Sequence, residues 1–251
     1  MPSSTLTKRE LREQRRAERQ AAEAAEAAHN RRRRLIQLGA AAGLALVAVV
    51  VAVAVSSSSG TPKTPAPAKS TLFAGIPEHN GVLGNPKAPV TVTEFLDLQC
   101  PICADASKAN LPHLIDNYVR TGKVKLQVRT LSFIGPDSVT AAKFAHGAEQ
   151  QGKLWAFLET FYASQGQENS GYVTPEFLEQ VAQASGVDAG KAAAFAGGAS
   201  AQAALDQADG AAQALKVDST PSFTVTRDGG QEKVVAVGLE DLTNKLDKAI
   251  S

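Results

Sequence analysis

The sequence predicts an α/β fold in which a helical domain interrupts a sheet, behind a membrane helix and a linker. Three observations predict it. A β-rich segment is followed by a helical pattern and a second strand, the apolar periodicity from 137 to 215 is almost entirely helical, and a hairpin signal with a last helix follows. With 251 residues, 43% of them hydrophobic and 20% charged, the chain has room for one or two folded domains.

Charged residues are divided unevenly along the chain. Residues 1–34 contain ten Lys and Arg against five Asp and Glu, whereas residues 71–251 contain fourteen against twenty. A nucleic-acid-binding surface needs a basic stripe to contact phosphates, and none is visible after residue 35. The charge pattern therefore argues against a nucleic-acid partner, and we interpret 1–34 as a basic, solvated cytoplasmic segment.

Residues 35–55 are predicted to form a transmembrane helix. Gln37 is the only strongly polar side chain in the run, whose 21 residues would span about 31 Å as a helix. Four arginines at 31–34 precede it, so the positive-inside rule predicts a cytoplasmic N-terminus and an extracytoplasmic body. We expect an uncleaved, single-pass signal anchor in the cell membrane. A signal peptide cleaved at the small residues 52–54 is the alternative.

Residues 56–79 are predicted to be a linker. The segment begins with four serines and continues with prolines at 62, 65 and 67, a composition typical of an extended, disordered spacer. We therefore expect the folded body to start at residue 80, with its first half at 80–135, the helical insertion at 136–215 and its second half at 216–251.

The first half of the body has the pattern of a strand, a helix and a strand. Residues 89–96 are β-rich, and the helical spacing that follows ends before Gly122. Pro112 lies inside this helix and is expected to kink or break it. A second strand is predicted at 124–133, because residues 124–129 alternate between apolar and polar side chains as in a half-buried strand.

The insertion and the second half follow from periodicity and turn signals. Trp155, in the insertion, is expected to be a core residue. Helices are predicted at 141–150, 154–164, 175–184, 189–195 and 201–215, hairpin strands at 223–226 and 234–237, and a last helix at 240–249. A β-α-β unit joined to a hairpin and a helix is the skeleton of the thioredoxin fold, so the sequence predicts that fold with an inserted helical domain.

The chain has two cysteines, Cys100 and Cys103. A structural bridge across so short a loop would stabilise the fold little. A zinc site would need histidines and carboxylates that occur at no recognisable spacing, so we predict no metal. A CxxC motif beside a β-α-β pattern is typical of a redox pair, and this interpretation is favoured over the other two.

The position of the motif also favours redox chemistry. Cys100 falls at the N-cap of the predicted helix, and Pro101 falls at its first position, where a missing N–H costs nothing. Unpaired backbone N–H groups and the helix dipole should stabilise a Cys100 thiolate. We expect an exposed Cys100 of lowered pKa that forms mixed disulfides, and a more buried Cys103 that resolves them.

The segment VTEFLDLQCPIC at 92–103 resembles the active-site segment of the DsbA-like thioredoxin-fold disulfide oxidoreductases. Three further segments agree in the family's order: LGNPKAPV at 83–90, QGKLW at 151–155 and STPSF at 219–223. The resemblance covers about residues 82–250. It implies a membrane-anchored oxidase without a cofactor, which donates the Cys100–Cys103 disulfide to exported proteins. It also implies a quinone-linked membrane oxidase of the DsbB or vitamin K epoxide reductase type that reoxidises the pair.

The resemblance implies roles for further residues. Pro221 matches the family's cis-proline beside the active-site sulfurs, which lets Thr220 offer backbone hydrogen bonds to a substrate. Glu94, six residues before Cys100, matches a buried acid that assists proton transfer at the resolving cysteine, and burial should raise its pKa. Asp97 matches an acid seen in many relatives, but the resemblance assigns it no role.

Two residues depart from the strongly oxidising members of the family. Ile102 stands where those members carry histidine, which removes one hydrogen-bond donor to the thiolate. Thr220 stands where they often carry valine, as in isomerase-type relatives. Two alternatives therefore stay open beside the oxidase: a reductase or isomerase on the same fold, and a binding module whose CxxC is inert.

Overall fold

The computed structural model describes residues 71–227 together with 230, 233–235, 242, 244, 247 and 248. The predicted basic segment 1–34, the membrane helix 35–55 and the linker up to residue 70 lie outside the described residues. Within the described part, no helix is both long enough and apolar enough to cross a bilayer.

The described strands form one mixed sheet. They are β1 (Glu78–His79), β2 (Val82–Leu83), β3 (Val90–Leu96), β4 (Val124–Thr130), β5 (Ser222–Arg227) and β6 (Lys233–Val235). Their order across the sheet is β1-β2-β4-β3-β5-β6, with β3 parallel to β4 and antiparallel to β5. This is the predicted β-α-β unit joined to a hairpin. The strands β1 and β2 were not predicted, because two residues each are too few to show alternation.

Five helices of the described chain form the predicted insertion, and one belongs to the β-α-β unit. They are α1 (Pro101–Leu114), α2 (Pro136–Glu149), α3 (Leu154–Ala163), α4 (Pro175–Ser185), α5 (Ala189–Ala196) and α6 (Ala199–Leu215). α2 begins five residues earlier than predicted, because Pro136 occupies its first position and Asp137 lies in its first turn. Residues 242, 244, 247 and 248 of the predicted last helix are helical.

The helix α1 continues through Pro112 instead of ending there. It reaches Leu114 and then widens into a π-helical turn over Ile115–Val119. The Ile115 N–H donates to the carbonyl oxygens of Leu111 and Pro112. The chain therefore accommodates the proline without a break, and the irregularity falls in the turn that follows it.

The folded body begins earlier than the predicted boundary at residue 80. A 3₁₀ turn covers Thr71–Phe73, and β1 pairs with β2 in the sheet. Leu72, Phe73 and Ile76 pack against the main core. These apolar side chains explain the difference, because contact with the body removes them from water.

Both faces of the central strands are covered. Val92 and Leu96 of β3 belong to the main core together with Leu111 and Leu114 of α1. On the opposite face, Phe95 belongs to a second apolar cluster with Leu131, Ala208 and Ala212, the last two from α6. The carboxyl end of β3 therefore leads into a region enclosed by α1 and the insertion.

An aromatic cluster forms the core of the insertion. The ring centroids of Phe161 and Phe177 are 5.4 Å apart in an edge-to-face arrangement. Trp155 is a core residue as predicted, with 3% of its surface exposed. Its indole N–H donates to the Gly81 carbonyl oxygen at 3.1 Å, so the insertion is fixed to the turn between β1 and β2.

Candidate active site

The CPIC motif occupies the start of α1, as predicted. Cys100 is the N-cap in an extended conformation, and Pro101 follows at the first helical position. The Cys103 N–H donates to the Cys100 Sγ at 3.3 Å. The sulfur therefore accepts one of the N–H groups that a helix leaves unpaired at its N-terminus.

The Cys100 thiol is acidic in this position. The hydrogen bond with the Cys103 side chain is the largest effect, and together with contacts to Thr220 and the backbone of Cys103 and Ile102 it lowers the Cys100 pKa from 9.0 to about 6. Burial raises this pKa but is outweighed. The lowered pKa favours the thiolate, the form that reacts in disulfide exchange.

Cys103 has the opposite character. It is fully buried, and burial raises its pKa well above the ordinary range, with the neighbouring Cys100 as the second cause. Cys103 therefore stays protonated until a base accepts its proton. Cys100 itself is more enclosed than predicted, since only 6% of the residue is exposed. The first turn of α1 and the Thr220 carbonyl group lie against it.

The structure brings Thr220 and Pro221 to the cysteines. The Thr220–Pro221 peptide bond is cis, as predicted. The Cys100 thiol donates to the Thr220 carbonyl oxygen at 3.6 Å, across 120 positions of sequence. Antiparallel pairing of β3 and β5, with Phe95 opposite Ser222, places this turn beside the start of α1.

Glu94 lies on β3 beneath α1. Its Oε1 has no accessible surface and no hydrogen-bond partner. Burial raises the Glu94 pKa to about 8, and its charge in turn raises the Cys103 pKa. A carboxyl group in this position can hold or release a proton near neutral pH.

Asp97 is fully buried and well bonded. Its Oδ1 accepts hydrogen bonds from the Ser138 hydroxyl at 2.6 Å and the Gln99 N–H at 2.9 Å, and its Oδ2 accepts one from the Ile134 N–H at 3.3 Å. Burial raises the Asp97 pKa in spite of these bonds, each of which lowers it. The carboxylate thus connects the segment before Cys100 to the loop that enters the insertion.

Residues of the insertion that were not predicted also hold the segment before Cys100. The Gln165 side chain donates to the carbonyl oxygens of Leu98 at 2.7 Å and Cys100 at 3.3 Å. The Tyr162 hydroxyl donates to the Asp97 carbonyl oxygen at 3.3 Å. These contacts join residues more than 60 positions apart, so no local sequence signal could have identified them.

Among the described residues, no group of three or more His, Cys, Asp or Glu side chains is arranged to hold a metal ion. His146 instead forms hydrogen bonds with Glu149 at 2.6 Å and Thr130 at 2.9 Å. The groups that the structure brings together at the site are the two sulfurs, the cis turn and the neighbouring carboxyl groups.

Comparison with known proteins agrees with this geometry. The family model described as thioredoxin matches residues 78–248. The probable disulfide bond formation protein D of Bacillus anthracis is 38% identical over 98 residues, which are 38% of this chain and 45% of that protein. The chain therefore matches less than half of that relative's length.

Two solved structures share the fold over most of their length. BdbD from Bacillus subtilis, in its oxidised form, has a TM-score of 0.61 at 23% identity and covers 70% of this chain and 96% of its own. A thioredoxin-like oxidoreductase from Silicibacter pomeroyi DSS-3 has a TM-score of 0.56 at 30% identity and covers 72% and 96%. The chain belongs to the thioredoxin family.

Proposed function

We propose that this protein is an extracytoplasmic thiol–disulfide oxidoreductase that oxidises the thiols of exported proteins. The proposal rests on one observation: within one turn of helix, the pKa of one cysteine is lowered and the pKa of the other is raised. Cys100 has a pKa of about 6 beside a cis Thr220–Pro221 bond, while burial raises the pKa of Cys103. A relative whose name refers to disulfide bond formation supports the oxidising direction.

The reaction starts from the Cys100–Cys103 disulfide. A substrate thiolate attacks the Cys100 Sγ, the bond between the two sulfurs breaks, and Cys103 leaves and takes up a proton. A second substrate thiolate then attacks the substrate sulfur of the mixed disulfide and releases the Cys100 thiolate. The substrate loses two electrons to form its disulfide, and the pair gains them as a dithiol. The low pKa of Cys100 makes it a good leaving group in this last step.

The surrounding groups support these steps. Glu94 gives a proton to Cys103 when it leaves and accepts that proton when Cys103 attacks a mixed disulfide. Both cysteines are free in this structure, and the Thr220 carbonyl oxygen accepts from the Cys100 thiol. The same carbonyl oxygen is placed to accept an N–H from a bound substrate chain. Pro101 and Ile102 form the rest of the active-site motif that a bound substrate would contact.

The reduced pair must be reoxidised to act again. We propose that a quinone-linked membrane oxidase of the DsbB or vitamin K epoxide reductase type accepts the two electrons. The predicted anchor at 35–55, with a cytoplasmic N-terminus, would hold the catalytic body near such a partner on the extracytoplasmic side.

Trapping tests the proposal. In the full chain carrying Cys103→Ser, the Cys100 thiolate can attack a disulfide of an exported protein, which releases one substrate thiolate and leaves a mixed disulfide that nothing in the chain can resolve. Expression in the native host should therefore yield covalent adducts that dithiothreitol releases. The matched control carries both Cys100→Ser and Cys103→Ser and should yield none. Recovery of no adduct from Cys103→Ser would contradict the proposal, and a mainly reduced pair in the parent protein would favour a reductase.

A further inference from the structure

The connection between β3 and α1 is held by a donor from the insertion. Residues 97–100 form this connection and lead directly to the reactive sulfur. Leu98 is fully buried, and a buried carbonyl group needs a hydrogen-bond donor. The Gln165 side-chain amide donates to the Leu98 carbonyl oxygen at 2.7 Å. The insertion therefore fixes the chain two positions before Cys100.

The same amide group also holds Cys100 itself. An amide nitrogen carries two hydrogens, and that of Gln165 also donates to the Cys100 carbonyl oxygen at 3.3 Å. Gln165 follows α3, and its own N–H donates to the Tyr162 carbonyl oxygen in the last turn of that helix at 3.4 Å. Phe161, in the same turn, belongs to the aromatic core of the insertion. The Gln165 side chain is therefore attached to a packed part of the insertion.

The orientation of the Cys100 backbone affects where its sulfur lies. As the N-cap, Cys100 has φ −69° and ψ 116°, and this conformation places its Sγ 3.3 Å from the Cys103 nitrogen. Its carbonyl oxygen accepts the Ala104 N–H at 3.2 Å, the long end of the usual range, and helix ends held in this way fray. The Gln165 amide gives the same oxygen a second donor, which restricts rotation of the Cys100 backbone.

We propose that Gln165 is a positioning residue for disulfide exchange, which holds the Cys100 carbonyl group and thereby keeps the Cys100 sulfur over the N–H groups at the start of α1. The inference rests on the proposed function, because it concerns the same sulfur, and it gives the insertion a part in the reactivity of the redox pair. Without Gln165 the Cys100 thiolate loses part of its stabilisation. The disulfide then becomes a weaker oxidant, since a stabilised reduced form makes a dithiol pair more oxidising.

A second glutamine of the insertion provides a matched control. The Gln151 side chain donates to the carbonyl oxygens of Gly147 and Asp188, both at 3.1 Å, and accepts the Asp188 N–H at 2.8 Å. These bonds join α2 to the N-cap of α5, and none of them involves residues 97–100 or α1. Replacing Gln151 therefore removes hydrogen bonds from the insertion without releasing Cys100.

The pH dependence of alkylation tests the inference. The reduced full chain in detergent micelles is treated with iodoacetamide over a range of pH, and the modified fraction is measured by mass spectrometry. The label reports on Cys100, because Cys103 is fully buried and its pKa is raised. The midpoint should lie near pH 6 in the parent and about one pH unit higher in Gln165→Met, which has no donor. It should stay unchanged in Gln151→Met.

The equilibrium with glutathione measures the same effect on the disulfide. At pH 7, Gln165→Met should shift the equilibrium constant about fivefold towards the oxidised pair, and Gln151→Met should leave it unchanged. Urea unfolding, followed by the fluorescence of Trp155, shows whether each variant is folded. Gln165→Ala, which removes the side chain, should reproduce both shifts and replaces Gln165→Met if that variant does not fold.

Two results would overturn the inference and leave the proposed function intact. One is an alkylation midpoint that stays at the parent value in the Gln165 variants, and the other is an equal shift in Gln165→Met and Gln151→Met. Failure of the parent pair to exchange with glutathione would overturn the proposed function and the inference together.

Discussion

Glu94 and Asp97 lie three residues apart at the end of β3, and their carboxyl groups have opposite surroundings. The Glu94 Oε1 is buried beneath α1 without a hydrogen-bond partner. Asp97 is three residues nearer to Cys100 in sequence, and its carboxylate accepts hydrogen bonds from Gln99, Ser138 and Ile134. Burial raises the pKa of both groups.

The different hydrogen bonding of the two acids suits them to different roles. Glu94 can carry a proton, whereas Asp97 can hold two segments of the chain together. The Glu94 Oε1 has no hydrogen bond to lose when the group changes its protonation, and a Glu94 pKa of about 8 lets the carboxyl group both release and accept a proton near neutral pH. Protonation of the Asp97 carboxylate would weaken the hydrogen bonds that it accepts from three donors. We therefore propose that Glu94 transfers protons and that Asp97 holds the segment before Cys100 in place, and the following predictions test that division.

Asp97→Ala should give the largest effect. It leaves the Gln99 N–H, the Ser138 hydroxyl and the Ile134 N–H without an acceptor, and the reduced chain should lose about 3 kcal/mol of unfolding free energy. Urea unfolding of the full chain in detergent micelles, followed by fluorescence of Trp155, the only tryptophan, measures this loss.

Asp137→Ala is the matched control for that variant. The Asp137 carboxylate accepts one hydrogen bond, from the exposed Gly171 N–H, so its removal should cost less than about 1 kcal/mol. Equal losses of unfolding free energy in the two variants would show that the hydrogen bonds of Asp97 stabilise the fold no more than the single hydrogen bond of Asp137.

Glu94→Gln should change how stability depends on pH. The Glu94 pKa rises from 4.5 to about 8 on folding, so between these values the folded state holds a proton that the unfolded state lacks. This contribution is complete below pH 4.5 and is lost as pH rises through 8. Relative to the parent, the variant should gain on the order of a few kcal/mol of unfolding free energy from pH 4.5 to pH 9.

The same unfolding assay across pH measures this gain. Glu78→Gln is the control, because burial raises the Glu78 pKa to about 7 and its effect should therefore be complete one pH unit earlier. Parallel pH curves for the parent and Glu94→Gln would mean that Glu94 is not buried as the structure shows.

The smallest effect that we predict is the effect of Glu94→Gln on the reaction of Cys103. Glutamine cannot accept the Cys103 proton, so resolution of a preformed mixed disulfide with glutathione should slow about tenfold at pH 7. Stopped-flow or quenched measurement of glutathione release gives the rate. The alkylation midpoint of Cys100 should stay near pH 6, because its main causes are hydrogen bonds at the start of α1. An unchanged release rate would exclude Glu94 as the proton acceptor.

Much of the fold could be predicted from local patterns. The alternation in β4, the helical periodicity of the insertion and the turn signals that separate its helices each depend on residues close together in sequence. The start of α2 was misplaced because proline at a first helical position lies outside the apolar periodicity. The packing of residues 72–76 was missed because a short apolar segment shows no period, and only its contact with the body orders it.

The sequence by itself determined the redox pair, since Cys100, Pro101 and Cys103 are neighbours whose N-cap position follows from local helix rules. Only the tertiary structure decided the surroundings of that pair. The hydrogen bonds of Asp97 and the contacts of Gln165 join segments tens of residues apart. Such contacts depend on how the strands and the insertion pack against each other, and the spacing of residues along the chain does not reveal that packing.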